Sequence, residues 1–243
     1  MFRPIIALIR VVAAVIVPLS IAQAADTVVA ANYPPIMIKG DPVRPGFAVE
    51  ILQEAAKRSG REIDITFLPF KRAMQRVKTD TATLMPALFY GKSSNDEYLW
   101  LERIQSAKLT FATIGPRIDD LDTARSAAIV VENGSTPHVF LKSNGFQNLT
   151  VVSSPEASAR MVQLGRVDAW MQSRSIVQRT WNDLAPSQPL TMGNVVHEIP
   201  IFIVASASLP EEMVTAYRSA VQSMRADGTL AEIWESYGLA PDD

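Results

Sequence analysis

The feature that most constrains this chain is an alternation of short apolar strands and helical stretches that occurs twice. In the first run, Val28 to Ala30 reads as a buried strand. It stops at Asn32-Tyr33-Pro34-Pro35, because two prolines cannot continue a sheet interior. Ile36 to Ile38 extends to a turn at Lys39-Gly40-Asp41-Pro42. Pro45-Gly46 then opens a helix in which Val49, Leu52, Ala55 and Ala56 recur at helical spacing, and Ser59-Gly60 closes it. Ile63 to Phe67 alternates as a strand, Pro69-Phe70 starts a helix, and Thr83 to Met85 is the next strand. The second run repeats the order: a strand at 127–131, a helix from Pro137, a strand at 149–152, a helix at 155–164 and a strand at 168–171. Strands separated by helices predict parallel sheets, so the fold class is α/β with two similar lobes. Two apolar stretches, Leu109 to Ile114 and Glu198 to Val204, are the natural crossovers between them. A helical tail follows from Pro210 to Tyr237, with Met213, Tyr217, Val221 and Met224 on one stripe.

The N-terminus has a different logic. Residues 1–24 carry Arg3 and Arg10, no acid, an apolar run from Val11 to Ile21, and Ala22-Gln23-Ala24. A basic start, a short apolar middle and a small-x-small end form an export signal, with cleavage expected after Ala24. The apolar run is too short to span a bilayer and contains Pro18. Removing 24 of the 243 residues leaves 219, with 21 Lys+Arg against 25 Asp+Glu. That balance gives no basic surface for nucleic acid. The chain contains no cysteine, which excludes disulfides, thiol nucleophiles and a lipidated N-terminal cysteine. Two histidines, His138 and His197, are too few for a His-rich metal site, and no cofactor motif occurs. The expected product is exported, periplasmic, free of stable membrane insertion and monomeric.

Several motifs in order resemble the bacterial extracellular solute-binding proteins of family 3. They are Tyr33-Pro34-Pro35, Gly46-Phe47 with Glu50-Ile51-Leu52, Pro69 to Ala73, Gly134-Ser135-Thr136, Leu164 to Ala169, and Asp227-Gly228-Thr229-Leu230 with Trp234 and Tyr237-Gly238. Together they cover nearly all of residues 27–239. The resemblance implies a two-lobed Venus-flytrap receptor of type II, two sheets joined by a two-strand hinge, handing a small solute to an ABC permease. It places lobe 1 at 25–110 and 202–243, and lobe 2 at 111–201.

The resemblance also shows where this chain departs. The family's arginine that clamps a substrate α-carboxylate falls at or near Ser94, with Lys92 close by as a point charge. The aspartate that binds an α-ammonium falls at Ser173, followed by Arg174. The charged pair that reads an α-amino acid is therefore missing, and the expected ligand is a small polar solute of another kind. Gly134-Ser135-Thr136-Pro137 is the strongest local site signal: Thr136 is the expected N-cap, with free N–H groups facing an anion or carbonyl oxygen. Tyr33, Phe70, Phe89 and Tyr90 are aromatics at strand ends that suit an apolar or planar ligand portion, with Ala87, Ser135 and Arg72 beside them. Phe89 and Tyr90, as strand neighbours, point opposite ways. Asp168 reads as a turn cap, Trp100 and Trp170 as core, and Asp96-Glu97 as a solvated acidic turn. Two rival functions stay open. One is a dehydratase acting on a cyclic carboxylic acid, with Glu132 as its general acid. The other is a sensor or accessory protein for another exported system.

Overall fold

The computed structural model describes residues 24–90, 96–185 and 187–239. Nearly all of the expected leader, and the expectations placed on Lys92 and Ser94, lie outside these residues.

The first strand, β1 (Asp26–Ala30), runs parallel to β2 (Ile63–Phe67) on one side and β3 (Thr83–Phe89) on the other. Two helices make the crossovers between these parallel strands. In α1 (Phe47–Arg58), Phe47, Val49, Ile51, Leu52, Ala55 and Ala56 are buried, Glu50 stands in the first turn, and Lys57 and Arg58 stand in the last. In α2 (Phe70–Thr79), Ala73 and Val77 carry the buried face. After β3 the chain enters β4 (Leu99–Thr113), fifteen residues or about 50 Å of strand. The sequence places this crossover from Leu109, ten residues later. Glu102 and Arg103 obscure the earlier part, and the register against its neighbour shifts at just these places, between Trp100 and Glu102 and between Arg103 and Gln105.

The second run begins with a one-turn helix, α3 (Leu121–Ala124), capped by the Asp120 carboxylate, which accepts the Thr123 N–H at 2.7 Å. It continues as β5 (Ile129–Glu132), α4 (Thr136–Ser143), β6 (Leu149–Val152), α5 (Pro155–Gln163) and β7 (Ala169–Ser173), with β5 parallel to both β6 and β7. The helix α6 (Arg174–Leu184) starts directly on the last residue of β7, and the sequence pattern leaves it unassigned. A two-residue strand β8 (Thr191–Met192) precedes β9 (His197–Ala205). The tail forms α7 (Glu211–Ala226) and α8 (Thr229–Ser236), broken at Asp227-Gly228, where Gly228 takes φ +87°.

The strands run β2-β1-β3-β9-β4-β7-β5-β6, with β8 beside β4. The two expected sheets, β2-β1-β3 and β7-β5-β6, are joined through β9 and β4 into one continuous hydrogen-bonded path. The reason is that β4 and β9 pair antiparallel from Leu99–Ala205 to Leu109–His197. On its other edge β9 pairs through residues 201–205 with β3 in the first lobe, and from Leu109 onward β4 pairs with β7 in the second. The larger hydrophobic cluster follows β1, α1, β3, β9 and α7 and continues onto Phe111, Ile129, Val131 and Met171. A smaller one, centred on Trp170, Val130, Ile176 and Trp181, fills the other face of the second lobe.

An enclosed ion pair ties the start of β1 to Arg61, just ahead of β2, and a hydroxyl from α7 joins it. Arg61 Nε and Nη2 donate to the two Asp26 carboxylate oxygens at 2.6 and 2.8 Å, and the Tyr217 hydroxyl donates to Oδ2 at 2.6 Å.

Candidate functional site

Open α/β sheets take ligands at the carboxyl ends of their strands, so those ends come first. Beyond β1, residues 33–37 close a tight loop: Tyr33 N–H donates to the Met37 carbonyl at 2.7 Å, and the Ile36 and Met37 N–H groups donate back to Tyr33. The loop fixes the Tyr33 ring, which meets Phe89 edge-on at 6.2 Å and packs against both hydrophobic clusters. Burial pushes the Tyr33 phenol well above its ordinary value, the Glu132 charge adds to this, and hydrogen bonding with Gln172 offsets part of it. Tyr33 thus links the end of β1 to the ends of β5 and β7.

Glu132 lies under that contact. It is 7% exposed, and its carboxylate accepts hydrogen bonds from Ser158 Oγ (2.5 Å), Trp170 Nε1 (2.9 Å) and Gln172 Nε2 (2.7 Å). Burial raises its pKa, and the hydrogen bonds from Ser158, its own backbone, Gln172 and Trp170 pull it back. A carboxylate held by three donors orders the ends of β5 and β7. It is poorly placed as the general acid that the dehydratase reading requires.

The Gly134-Ser135-Thr136 turn differs from its expectation. The N-cap of α4 is Ser135, whose Oγ accepts the His138 N–H at 3.3 Å; Thr136 is already the first helical residue. Ser135 holds the extended backbone that a cap requires, and the following Pro137 fits the first turn. The turn also closes on itself. Gly134 N–H donates to His138 Nδ1 at 3.1 Å, and Ser135 N–H donates to the Glu132 carbonyl. Three N–H groups expected to face a ligand are therefore engaged internally.

The other expected residues separate. Ala87 is buried within β3, near a register shift between Met85 and Leu88. Phe89 turns toward Tyr33, whereas Tyr90 turns the other way, onto Trp100 (4.9 Å) and Phe202 (5.7 Å). Phe70 is 41% exposed at the start of α2, and Arg72 beside it is exposed. Asp168 caps the loop before β5 by accepting the Ala128 N–H at 2.7 Å. Glu97 is paired with Lys78 at 2.5 Å, so that acidic turn is not simply solvated. His197 stacks on Phe140 at 4.4 Å.

Ser173 and Arg174 do meet a cavity, of about 600 Å³. Its wall combines the 35–47 loop and α8 tail of the first lobe, Gln105 to Lys108 of β4, Ile201 of β9, and the first turns of α6 in the second lobe. Tyr33, Phe70, Arg72, Ala87, Phe89, Tyr90, Ser135 and Thr136 do not line it. A latch holds the first-lobe side. The Tyr237 hydroxyl donates to Glu50 Oε1 at 2.5 Å and accepts the Gly46 N–H at 3.0 Å, while the Arg44 guanidinium sits 4.3 Å over the ring. Burial and the Glu50 contact push the Tyr237 phenol up to about 12, so it stays a neutral donor. On the second-lobe side, Arg174 Nη2 donates to the Gly193 carbonyl at 2.6 Å, which also accepts from Thr110 Oγ1 at 2.8 Å. Gly193 allows this because a Cβ there would lie 1.8 Å from the Ile118 carbonyl oxygen. Sequence reasoning does not single out Ser106 or Lys108. The available signal is a polar run, Gln105-Ser106-Ala107-Lys108, between the buried apolar residues Ile104 and Leu109.

Comparison with known proteins decides the family. The family model for bacterial extracellular solute-binding proteins, family 3, matches residues 26–240. The chain belongs to this family. One relative is the probable amino-acid-binding protein YxeM of Bacillus subtilis (strain 168), 22% identical over 198 residues, which cover 79% of this chain and 75% of YxeM. Among solved structures, a histidine kinase sensor domain with similarity to periplasmic binding proteins superposes with a TM-score of 0.76 at 13% identity, covering 88% of this chain and 97% of that one. An ancestral arginine-binding protein bound to arginine gives 0.72 at 17% identity, covering 88% and 99%. The periplasmic VFT2 domain of Bordetella pertussis BvgS gives 0.74 at 17% identity, covering 88% and 93%. These likenesses establish the Venus-flytrap fold. Among the described residues no helix is long and apolar enough to cross a membrane, and no group of three His, Asp or Glu could hold a metal ion.

Proposed function

We propose that this protein is an exported receptor that captures a small polar solute between its lobes and presents the closed form to an ABC importer. In this reading residues 1–24 are the export signal, residues 25–110 with 202–243 form one lobe, and residues 111–201 form the other. Closure turns about β4 and β9, and a solute that touches both lobes shifts the population toward the closed form. The observation that carries the reading is the cavity wall, which draws on both lobes and on the crossover strands between them. A solute there senses closure directly.

The ligand in this reading is not an ordinary α-amino acid. The end of β7 bears Ser173 and then Arg174, so an α-ammonium would meet a cation where it needs a carboxylate. The test is mass spectrometry of small molecules released on denaturing the natively purified protein, with thermal shifts against the common L-amino acids. A released solute other than an amino acid, with no stabilisation by L-amino acids, is the expected result. Tight binding of several of them refutes this ligand reading.

The sensor neighbours support a second reading, in which the closed shape is read by another exported protein. Capture of a permease by the ligand-loaded protein favours transport, and its failure favours sensing.

A further inference from the structure

We propose that the cavity beside Arg174 binds a small organic anion carrying a carboxylate, with Arg174 and Lys108 as its charge partners. The inference rests on the solute-binding reading and names the chemical class of the solute.

The charged side chains on the wall are Arg44, Lys108, Arg174, Arg179 and Asp41. Arg44 is engaged with the Ser236 carbonyl and the Tyr237 ring, and Arg179 is paired with Asp183 at 2.8 Å. Asp41 accepts the N–H groups of Val43 and Arg44. Lys108 and Arg174 remain. Neither has an acidic partner among the described residues, although Glu198 stands opposite Lys108 in the β4–β9 register. Arg174 is only partly exposed; its Nε is enclosed without a hydrogen-bond partner, and Nη2 is taken by Gly193. Its Nη1 is the group left for a ligand.

Uncharged donors meet the same space. Ser106 is 8% exposed, yet its hydroxyl makes no hydrogen bond among the described residues. The hydroxyls of Ser173 and Ser175 meet each other at a long 3.4 Å. The Ser106 hydroxyl opens onto the cavity, and polar groups on a cavity wall find partners in water or in a ligand, as a half-buried cation finds an opposite charge. A carboxylate oxygen supplies both. The start of α6 adds N–H groups that no side chain caps. Ile36, Phe47 and Ile201 give the wall an apolar part, and the volume suits an organic molecule rather than a bare inorganic ion.

The test is calorimetry and thermal shift on the full purified chain with succinate, citrate and benzoate. Inorganic phosphate, glucose and L-glutamine serve as comparators. At least one organic carboxylate is expected to stabilise saturably at millimolar concentration or below, with affinity falling as salt rises. Arg174→Gln should weaken it roughly thirtyfold or more, because it removes a largely desolvated charge partner. Ser106→Ala should weaken it about fivefold. Lys57→Gln, on the exposed face of α1, should change nothing. If Arg174→Gln fails to fold, Lys108→Gln carries the charge test, with about tenfold weakening expected. Silence from all three carboxylates overturns the proposal, as does carboxylate binding indifferent to Arg174, Lys108 and Ser106, or binding of phosphate alone. If glucose or L-glutamine binds while the carboxylates do not, the anion inference fails and the solute-binding reading stands.

Discussion

Asp26 offers the sharpest test of how this fold is held. Replacing it with asparagine keeps the shape and removes the charge. At present both carboxylate oxygens accept from Arg61, and one also accepts from Tyr217. The two ion-pair side chains are 5% and 9% exposed. An asparagine amide presents hydrogens to at least one of these donors, so contacts are lost and a cation stays enclosed. Breaking a buried pair from one side costs about 3–5 kcal/mol. For a chain of this size each kcal/mol lowers the melting midpoint by about 2–4 °C, so Asp26→Asn should lower it by about 6–20 °C. The Arg76–Asp80 pair is the control. Its distance is the same 2.6 Å, but its side chains are 40% and 33% exposed. Water already solvates both ions, and Asp80→Asn should leave the melting midpoint almost unchanged. Thermal and urea unfolding followed by circular dichroism measures both. Equal effects at the two sites would refute the argument that burial, and not distance, sets the value of an ion pair here.

Two further outcomes follow from enclosed groups. Burial holds the folded Glu132 pKa above that of the unfolded chain. The folded state therefore binds the extra proton between the two values, and stability falls as pH rises through that window. Glu132→Gln should flatten this part of the stability–pH curve, and superimposable curves for the two proteins would rule the account out. Gly46 has φ +101°, and a Cβ there would lie 2.5 Å from the Ile36 carbonyl oxygen. Strained backbone and forced overpacking each cost about 1–3 kcal/mol, so Gly46→Ala should destabilise by several kcal/mol in denaturant titration. A loss below about 1 kcal/mol would show that the 36–46 segment yields.

The alternating elements were legible because each leaves a local mark. The strands β2 and β6 and the helices α1, α2 and α5 fall where period and punctuation place them. The misses share a cause in tertiary context. The start of β4 is masked by Glu102 and Arg103, which a register-shifted strand tolerates. The helix α6 has no spacer from β7, because Ser173 is both the last residue of the strand and the residue at the N-cap position of the helix, where its side chain makes no capping bond. At the candidate site, Ser173 and Arg174 were visible as a departure from a family pattern. Ser106 and Lys108 were not, because nothing in a strand's sequence tells which of its polar residues meets a cavity.

The sequence by itself determined the α/β class, the twofold repetition and the absence of thiol chemistry, since these depend on local period and on composition. The tertiary structure decided which residues share a space. It turned Phe89 toward Tyr33 and Tyr90 away from it, and closed the Gly134 turn on His138. It also placed Lys108 and Arg174, which have no ion-pair partner among the described residues, on the wall of one cavity. Those outcomes depend on contacts between residues far apart in the chain. Long-range packing and electrostatics set them, and no local pattern encodes either.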